Sequence, residues 1–497
     1  MAQNFLYYGD NLDILRRYIK DETIDLIYLD PPFKSNQDYN VLFQERNGSQ
    51  SKAQIKVFED TWQWDQEAAK SYHEVVEKGP EKVSKVMRAF RMFLGDNDML
   101  AYLAMMAPRL VQLRRVLKST GSIYLHCDPT SSHYLKMLMD AVFEARNFRN
   151  EIVWCYTGPS GAKKAFPKKH DVLLRYSKGD TWIFNADAIR IPYKELHTDK
   201  GKSAKIWGTD GKLQDEGTRK EYLRRGKIPE DFWVDIPSGG HISPAERLGY
   251  QTQKPERLLE RIIKASSNKG DIVLDPFCGC GTAIAVAQKL NRRWIGIDIT
   301  HLAVTLIKHR LQDTFGSEIG STYEVIGEPI DLASAKTLAH EDPYQFQWWA
   351  LGLVGARPIE QKKGTDKGID GRLYFHDEAD SAKAKTKQII LQVKAGHVTS
   401  AHIRDLRGVL AREKAEIGVF ITLQKPSKAM RAEAAGAGFY SSPGWKKHYP
   451  RLQILTIEEL LKGKTIDYPA PKSTSITFRK APRFKKRQGE QGKLFNG

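Results

Sequence analysis

With 497 residues, 41% of them hydrophobic, the chain is too long for one ordinary domain and too apolar to be disordered. Its 78 basic and 60 acidic residues leave a formal charge of +18, which points to a polyanionic partner, most often nucleic acid. No apolar run reaches the roughly 18 residues of a membrane helix, no signal peptide is read at the N-terminus, and four cysteines are too few for a disulfide framework. A cytoplasmic protein is therefore expected, with no membrane partner.

In chain order, "TIDLIYLD" (23–30) predicts a buried strand, stopped by the two prolines of "DPPF". The run 98–118 has apolar residues at helical spacing, with Pro108 expected to kink or divide it. "GSIYLHCD" (121–128) predicts a strand and 131–145 a helix capped by serine, so strand and helix alternate as in an α/β sheet. From about Glu151 to Tyr250 the stretch is rich in Gly, Lys, Pro and Trp, with clusters such as "KKAFPKK" (163–169). It is expected to be an inserted irregular module rather than a continuation of the sheet. Alternation resumes with an amphipathic helix (256–266), a strand (271–275), a helix (281–290) and a strand (293–299). Residues 316–342 have no strong pattern and are expected to be a linker to a second α/β stretch, 343–468. A basic tail, 469–497, follows.

Within "VLDPFCGCGTAIAVA" (273–287), Gly279 and Gly281 predict a tight turn between strand and helix that lets a ligand approach the backbone. Ile284 stands where a dinucleotide fingerprint needs its third glycine, which counts against NAD. Asp298 ends the next strand, where a carboxylate can accept both ribose hydroxyls of a nucleoside. The residues alone leave two readings open, a nucleoside site or a sharp turn in any doubly wound fold. Cys278 and Cys280, one residue apart and without a His/Cys partner set, are read as small packing residues rather than metal ligands.

"DPFCGCGT" resembles the S-adenosylmethionine loop of DNA amino-methyltransferases, and "DPPF" (30–33) resembles their catalytic motif. "GSIYLHCDPTSSHYLKMLMDAVF", "FRNEIVW" and "YQTQKPERLLERIIKASSNKGDIVLDPF" extend the resemblance to the β group, over roughly residues 5–312. It implies a Rossmann-like methyltransferase with a catalytic half (1–150), a target-recognition module (151–250) and a cofactor half (251–315). It further implies that Asp275, Pro276, Phe277, Gly279, Gly281 and Thr282 line the cofactor pocket, with Asp298 on the ribose. Asp10 would lie near the adenine, and Lys254 and Pro255 of "TQKP" would flank the methionine end.

An exocyclic amino group is a poor nucleophile because its lone pair is delocalised into the ring. The Asp30 carboxylate and the Pro31 carbonyl can accept its two hydrogens and aim the lone pair at a sulfonium methyl. Pro32 keeps the acceptors still, and Phe33 offers a stacking face for a base swung out of duplex DNA. Carbon-5 methylation needs a thiolate, which such enzymes usually carry after a proline, and none of the four cysteines follows one. Within the resembled family, Asp at the first motif position favours adenine N6 over cytosine N4.

"GTDKGIDGRLYF" (364–375), "IILQVKAG" (389–396) and "GVFITLQKPSKAMRAEAAGAGF" (418–439) resemble the Mrr-like branch of the PD-(D/E)XK nucleases. The resemblance implies Asp370 and Gln392 as Mg²⁺ ligands and Lys394 as the residue that positions water or steadies the phosphate. Gln392 stands where a Glu is usual, and the early helix offers Gln345 and Gln347 where an acid often sits. A solvated hairpin and a domain that only grips DNA are the other readings. No phosphate-binding G-x-x-x-x-G-K-[ST] occurs, so ATP is not expected. The tail, with Phe478 and Phe484 among its Arg and Lys, is read either as a nonspecific phosphate contact or as a solvated end.

The expectation is thus a single-chain enzyme that methylates a short duplex sequence and cuts DNA lacking the mark. The alternative is a DNA methyltransferase, on adenine N6 or cytosine N4, whose C-terminal domain only binds DNA. An RNA or small-molecule methyltransferase is disfavoured by the large 151–250 stretch and the charge. The oligomeric state, a homodimer included, has no sequence signature.

Overall fold

A computed structural model describes residues 4–32, 64–158, 162–192, 224–250, 252–359, 368–377, 386–469 and 477–484, and the backbone alone of 39–44 and 50–58. Phe33 lies outside the described residues. The first eleven strands are β1 (Asn4–Tyr8), β2 (Ile24–Leu29), β3 (Tyr39–Gln44), β4 (Gln50–Phe58), β5 (Leu117–Cys127), β6 (Phe148–Cys155), β7 (His170–Ser177), β8 (Phe232–Trp233), β9 (Ile272–Asp275), β10 (Arg293–Asp298) and β11 (Tyr323–Ile326). All but the β3–β4 hairpin form one sheet, in the order β11-β1-β10-β9-β2-β5-β7-β6-β8. From β11 to β5 every pairing is parallel. Every residue of β2 is buried, as a strand covered on both faces requires.

One face carries α1 (Asn11–Arg17), α2 (Gln66–Lys78), α3 (Glu81–Leu94), α4 (Asp98–Val116) and α5 (Ser132–Phe143). The other carries α6 (Glu256–Ser266), α7 (Thr282–Lys289) and α8 (His301–Phe315). The spacing of Leu258, Leu259, Ile262 and Ile263 gives α6 its buried stripe. α4 is not divided at Pro108, which lies inside the helix. A helix-interior proline costs about 3 kcal/mol, whereas burying each Leu or Met is worth roughly 1.5–3 kcal/mol. Leu100, Leu103, Met106, Leu110 and Leu113 are all fully buried along this helix. Packing wins.

Two further expectations are corrected. The sheet does not end at residue 150, because β6 and β7 pair along their full length and β7 pairs with β5. The Gly- and Lys-rich run that suggested irregularity is the loop between them. Residues 316–342 are not an extended linker either. β11 lies parallel to β1 as an edge strand, and α9 (Leu332–Glu341) starts at a capping box on Asp331 and packs on α10 (Pro343–Leu353).

The second sheet has the order β12-β13-β14-β15-β18, from β12 (Arg357–Pro358), β13 (Gly371–His376), β14 (Thr386–Lys394), β15 (Ile417–Thr422) and β18 (Leu452–Thr456). A separate hairpin of β16 (Phe439–Ser442) and β17 (Lys447–Pro450) precedes β18. α11 (Ser400–Glu413) crosses between the parallel strands β14 and β15, and α12 (Lys428–Ala435) lies between β15 and β18. Phe346 and Trp349 of α10 fill one face, and Ile403 and Leu406 of α11 fill the other.

The two sheets are joined through α8. Trp348 packs with Leu302, Leu306 and Phe478, Gln345 Oε1 accepts the His301 N–H at 3.1 Å, and a Cβ on Gly352 would meet Thr305 Oγ1 at 2.6 Å. The described part of the tail, 477–484, is anchored on the fold through Thr477, Phe478, Ala481 and Phe484, while Arg479, Lys480 and Arg483 are exposed. Thr477 Oγ1 accepts the Tyr374 N–H at 3.0 Å, the Phe478 ring lies 4.5 Å from that of His309, and the Phe484 N–H donates to Thr314 O at 2.9 Å. Apolar surface on α8 is the reason, since it takes both tail phenylalanines. Among the described residues no helix is long and apolar enough to cross a membrane.

Candidate active site

Tyr8 is paired with Asp298, Gly296 with Asp275, and Ile27 with Leu274, so the carboxyl ends of β1, β10, β9 and β2 finish at one edge. The helix that follows β9, α7, lies on one face of the sheet, and the next helix after β2, α2, lies on the other. A crevice opens at such a switch point. Here it is a cleft of about 1320 Å³, open mouth included, lined by Asp10, Tyr28, Asp30, Pro31, Pro32, Lys254, Asp275, Pro276, Phe277, Gly279, Thr282 and Asp298 among others. Sequence positions up to 291 residues apart thus meet, from Gly9 to Thr300.

At the glycine turn, Gly279 and Gly281 have φ of +48° and +72°. A Cβ on Gly281 would stand 2.7 Å from Ile307 of α8, and one on Gly279 would stand 3.3 Å from the Tyr250 ring. Gly279 lines the cleft, whereas Gly281 sets the start of α7 against its neighbour. Asp298 closes the turn, with Oδ2 accepting the Gly279 N–H at 2.9 Å and Oδ1 accepting both the Thr300 N–H and its hydroxyl. Desolvation raises the Asp298 carboxyl to about 6, against the pull of those bonds. Burial likewise holds Asp275 well above the usual carboxylate range, although Oδ1 accepts the Phe277 N–H. Cys278 and Cys280 are buried in the turn, as packing residues should be, and burial raises both thiols.

Asp10 borders the cleft while capping α1, where it accepts the Leu12 and Asp13 N–H groups. Its Oδ2 also pairs with Arg109 Nη2 at 2.5 Å. Arg109 Nε donates to Asn11 Oδ1, and Asn11 Nδ2 donates to Pro276 O at 2.8 Å, so α1 and α4 brace the glycine turn. Pro255 caps α6 instead of lining the cleft. Lys254 stands at the centre, with Nζ 2.5 Å from Asp30 Oδ2.

Several site residues had no distinctive sequence signal. Tyr28 sits two residues before Asp30 on β2, so strand alternation turns it to the same face. Its hydroxyl is 2.9 Å from Nδ1 of the fully buried His126. His126 Nε2 reaches Asp171 Oδ2 at 3.2 Å, and the Tyr156 hydroxyl donates to Asp171 Oδ1 at 3.1 Å. Burial opposes ionisation of Asp171, but the bonds from His126 and Tyr156 and the charge of Lys254 hold its carboxyl below the usual value. Beneath the turn, the buried Arg310 sends Nη1 to Thr282 Oγ1 and Cys280 O and Nη2 to Glu256 Oε1. Tyr156, Asp171 and Arg310 lie in none of the quoted motifs, and Tyr28 and His126 are legible there only as strand residues.

In the second sheet the expected residues do come together. Asp370 is 3% exposed, and its Oδ2 accepts the Val393 N–H at 2.7 Å. Gln392 Nε2 donates to Gly368 O at 2.7 Å, its buried Oε1 has no partner among the described residues, and Lys394 shares its face of β14. Mg²⁺ is usually held through one or two carboxylates with waters completing an octahedron. Asp370 is one carboxylate and is already tied to the backbone, and Gln392 adds one neutral oxygen. Among the described residues no group of three or more His, Cys, Asp or Glu is placed to hold a metal. This set is a poor fit to the ion.

Comparison with known proteins bears on the two parts of the chain separately. The family described as DNA methylase matches residues 24–309. Residues 344–462 match the family described as NACHT-associated inactive Restriction Endonuclease 1. The type II methyltransferase M.HpaI of Haemophilus parainfluenzae is 34% identical over 207 residues, 41% of this chain and 58% of that protein. The DNA adenine methyltransferase YhdJ of Escherichia coli K12 is 32% identical over 205 residues, 41% of this chain and 64% of that protein. The chain therefore spans about six-tenths of the length of these relatives. A putative DNA modification methylase of Thermus thermophilus superposes with a TM-score of 0.35 at 16% identity, over 66% of this chain and all of that one.

Proposed function

The chain belongs to the DNA methylase family that matches residues 24–309, and from this we propose that it transfers a methyl group to the N6 amino group of an adenine swung out of duplex DNA. The observation that carries the reading is the placement of Asp30 and Pro31 on the wall of the cleft that also holds the glycine turn, Asp275 and Asp298. The methyl donor that fits is S-adenosylmethionine. Asp10, Asp275 and Asp298 line the cleft, and Gly279, with its left-handed φ, keeps open a part of it that a Cβ would enter towards the Tyr250 ring. When bound, it supplies an electrophilic methyl on a sulfonium.

Asp298 and Asp10 would hold the nucleoside half, with Asp275, Pro276, Phe277, Gly279 and Thr282 forming the wall beside it. Asp30 and the Pro31 carbonyl accept the two amino hydrogens of the base, which frees the nitrogen lone pair for attack as positive charge develops. Pro32 fixes that backbone, and Phe33 is assigned to stacking on the base. Lys254 occupies one Asp30 oxygen in the present arrangement, so it must yield that oxygen or share it when the base arrives. Adenine is favoured over cytosine by the Asp at position 30 and by the relative named as an adenine methyltransferase. Within 151–250, the segments outside the sheet strands β6 and β7 are assigned to target recognition. Incubating the protein with unmethylated DNA and labelled S-adenosylmethionine, then digesting to nucleosides, tests the whole reading. N6-methyladenine is the expected product, and N4-methylcytosine would overturn the choice of base.

The pH dependence of cofactor affinity follows from Asp298. Its carboxyl near 6 lies above the ordinary 3.8, so below pH 6 it becomes neutral and a weaker acceptor for ribose hydroxyls. If only the ionised form binds, affinity falls roughly tenfold by pH 5. The fold does not follow the same trend. A raised folded pKa means the folded state binds the proton more tightly, so this group's contribution to stability rises as pH falls from 6 towards 3.8. Titration calorimetry from pH 5 to 8 checks the slope, and Asp298→Asn is expected to bind weakly with no such slope.

For residues 343–468 the reading best supported is a restriction-endonuclease-like domain that does not cut. The poor Mg²⁺ fit and the match to a family described as inactive favour it over an active nuclease with Asp370, Gln392 and Lys394 as its centre. Unmethylated plasmid with Mg²⁺ is expected to stay intact, and Asp370→Ala is expected to leave methyl transfer unchanged. Cleavage by the wild type that Asp370→Ala abolishes would restore the nuclease reading.

A further inference from the structure

We propose that residues 162–169, in the connection between β6 and β7, form a DNA wedge. Phe166 enters the duplex where the target base has left it, and the lysines on either side hold the flanking phosphates. The inference rests on the reading that duplex DNA is the substrate.

The loop stands where a wedge is needed. β7 is antiparallel to both β5 and β6, so the end of β6 at Cys155 lies at the same sheet edge as Cys127 and, through the pairing of Leu29 with Leu125, as Asp30. Its base is closed by the Tyr156 N–H, which donates to Lys169 O at 2.9 Å. Tyr156 is also the outer member of the side-chain chain Tyr156–Asp171–His126–Tyr28, whose inner end lines the cleft. The root of the loop is therefore tied to the wall that holds Asp30, and residues 162–168 of the loop are exposed to solvent.

The tip has unusual chemistry. Residues 162–168 are all exposed, and Phe166 is 97% exposed, more than any other large apolar residue described. A single exposed apolar residue needs no explanation by itself. Here, however, "AKKAFPKK" places four lysines and no acid around the ring, and Pro167 restricts the backbone beside it. An aromatic ring presented by a positively charged loop matches a polyanion with stacked bases. Phenylalanine is among the side chains that wedge into base steps, and swinging out a base leaves an unstacked gap that such a ring can fill.

The test first maps the positions methylated by the wild type by sequencing its DNA product. Two duplex oligonucleotides carrying that site are then compared, one fully paired and one abasic opposite the target base. Phe166→Ala is expected to slow methyl transfer to the paired duplex roughly tenfold or more, the effect of losing one base-stacking contact. On the abasic duplex, where the target base is already unpaired, the gap between variant and wild type should close to within about threefold. Phe166→Trp should keep the wild-type rate, and cofactor affinity should be unchanged in both variants. A Phe166→Ala rate equal to wild type on the paired duplex would overturn the wedge, as would an equal loss on both duplexes. Failure of the wild type to methylate any duplex would instead overturn the substrate reading, and the wedge with it.

Discussion

Asp30→Asn is expected to lower the rate of methyl transfer by about 10²–10³-fold while leaving S-adenosylmethionine affinity within about twofold, the usual range for removing one oriented partner of a developing charge. The amide keeps the shape of the carboxylate but presents N–H donors where the amino group of the base needs an acceptor. It also removes the negative charge that faces the positive charge growing on the nitrogen. Lys254 loses the anionic oxygen 2.5 Å from its Nζ as well. Transfer of labelled methyl groups to unmethylated DNA measures the rate, and calorimetry measures the affinity. A variant that retains more than about a tenth of the wild-type rate would remove Asp30 from the chemistry. Loss of affinity with an unchanged limiting rate would make it a binding residue only.

The second large effect is structural. Arg310→Met is expected to destabilise the methyltransferase domain by about 3 kcal/mol, the scale for breaking a buried ion pair from one side. Arg310 is 2% exposed and bridges three groups, with Nη1 on Thr282 Oγ1 and Cys280 O and Nη2 on Glu256 Oε1. Burial opposes the charge of Glu256, and Arg310 and Lys289 overcome that opposition, so removing the guanidinium leaves Glu256 with Lys289 alone. The glycine turn loses its anchor to α8 at the same time, and cofactor affinity should fall together with melting temperature. Arg310→Lys is not expected to rescue either, because one ammonium cannot span the sites that a planar guanidinium reaches with two nitrogens. Thermal unfolding with and without S-adenosylmethionine checks this. An unchanged melting temperature would show that the turn is held by Ile307 packing instead.

Much of this protein was legible in its sequence for a local reason. Strand ends and tight turns are written in adjacent residues. "LIYLDPP" announces a buried parallel strand and its stop, and "DPFCGCGT" announces a turn whose glycines adopt φ of +48° and +72°. Asp30, Asp275, Gly279 and Asp298 therefore carry their own signals, and the cleft that unites them follows from parallel strands ending at one edge.

Tertiary structure decided what depends on partners distant in sequence. Pro108 ends no helix because the apolar burial around α4 outweighs its local cost. β6 and β7 join the sheet although the run between them reads as irregular, because pairing with β5 is a property of β5 as much as of β7. Phe478 and Phe484 sit in a run of Arg and Lys, yet α8 supplies the surface that takes them. The same holds for His126, Asp171 and Arg310, whose roles come from the hydrogen bonds they make across the fold. A charged or aromatic residue has no role until its neighbour is known, and in these cases the neighbour is dozens to hundreds of residues away.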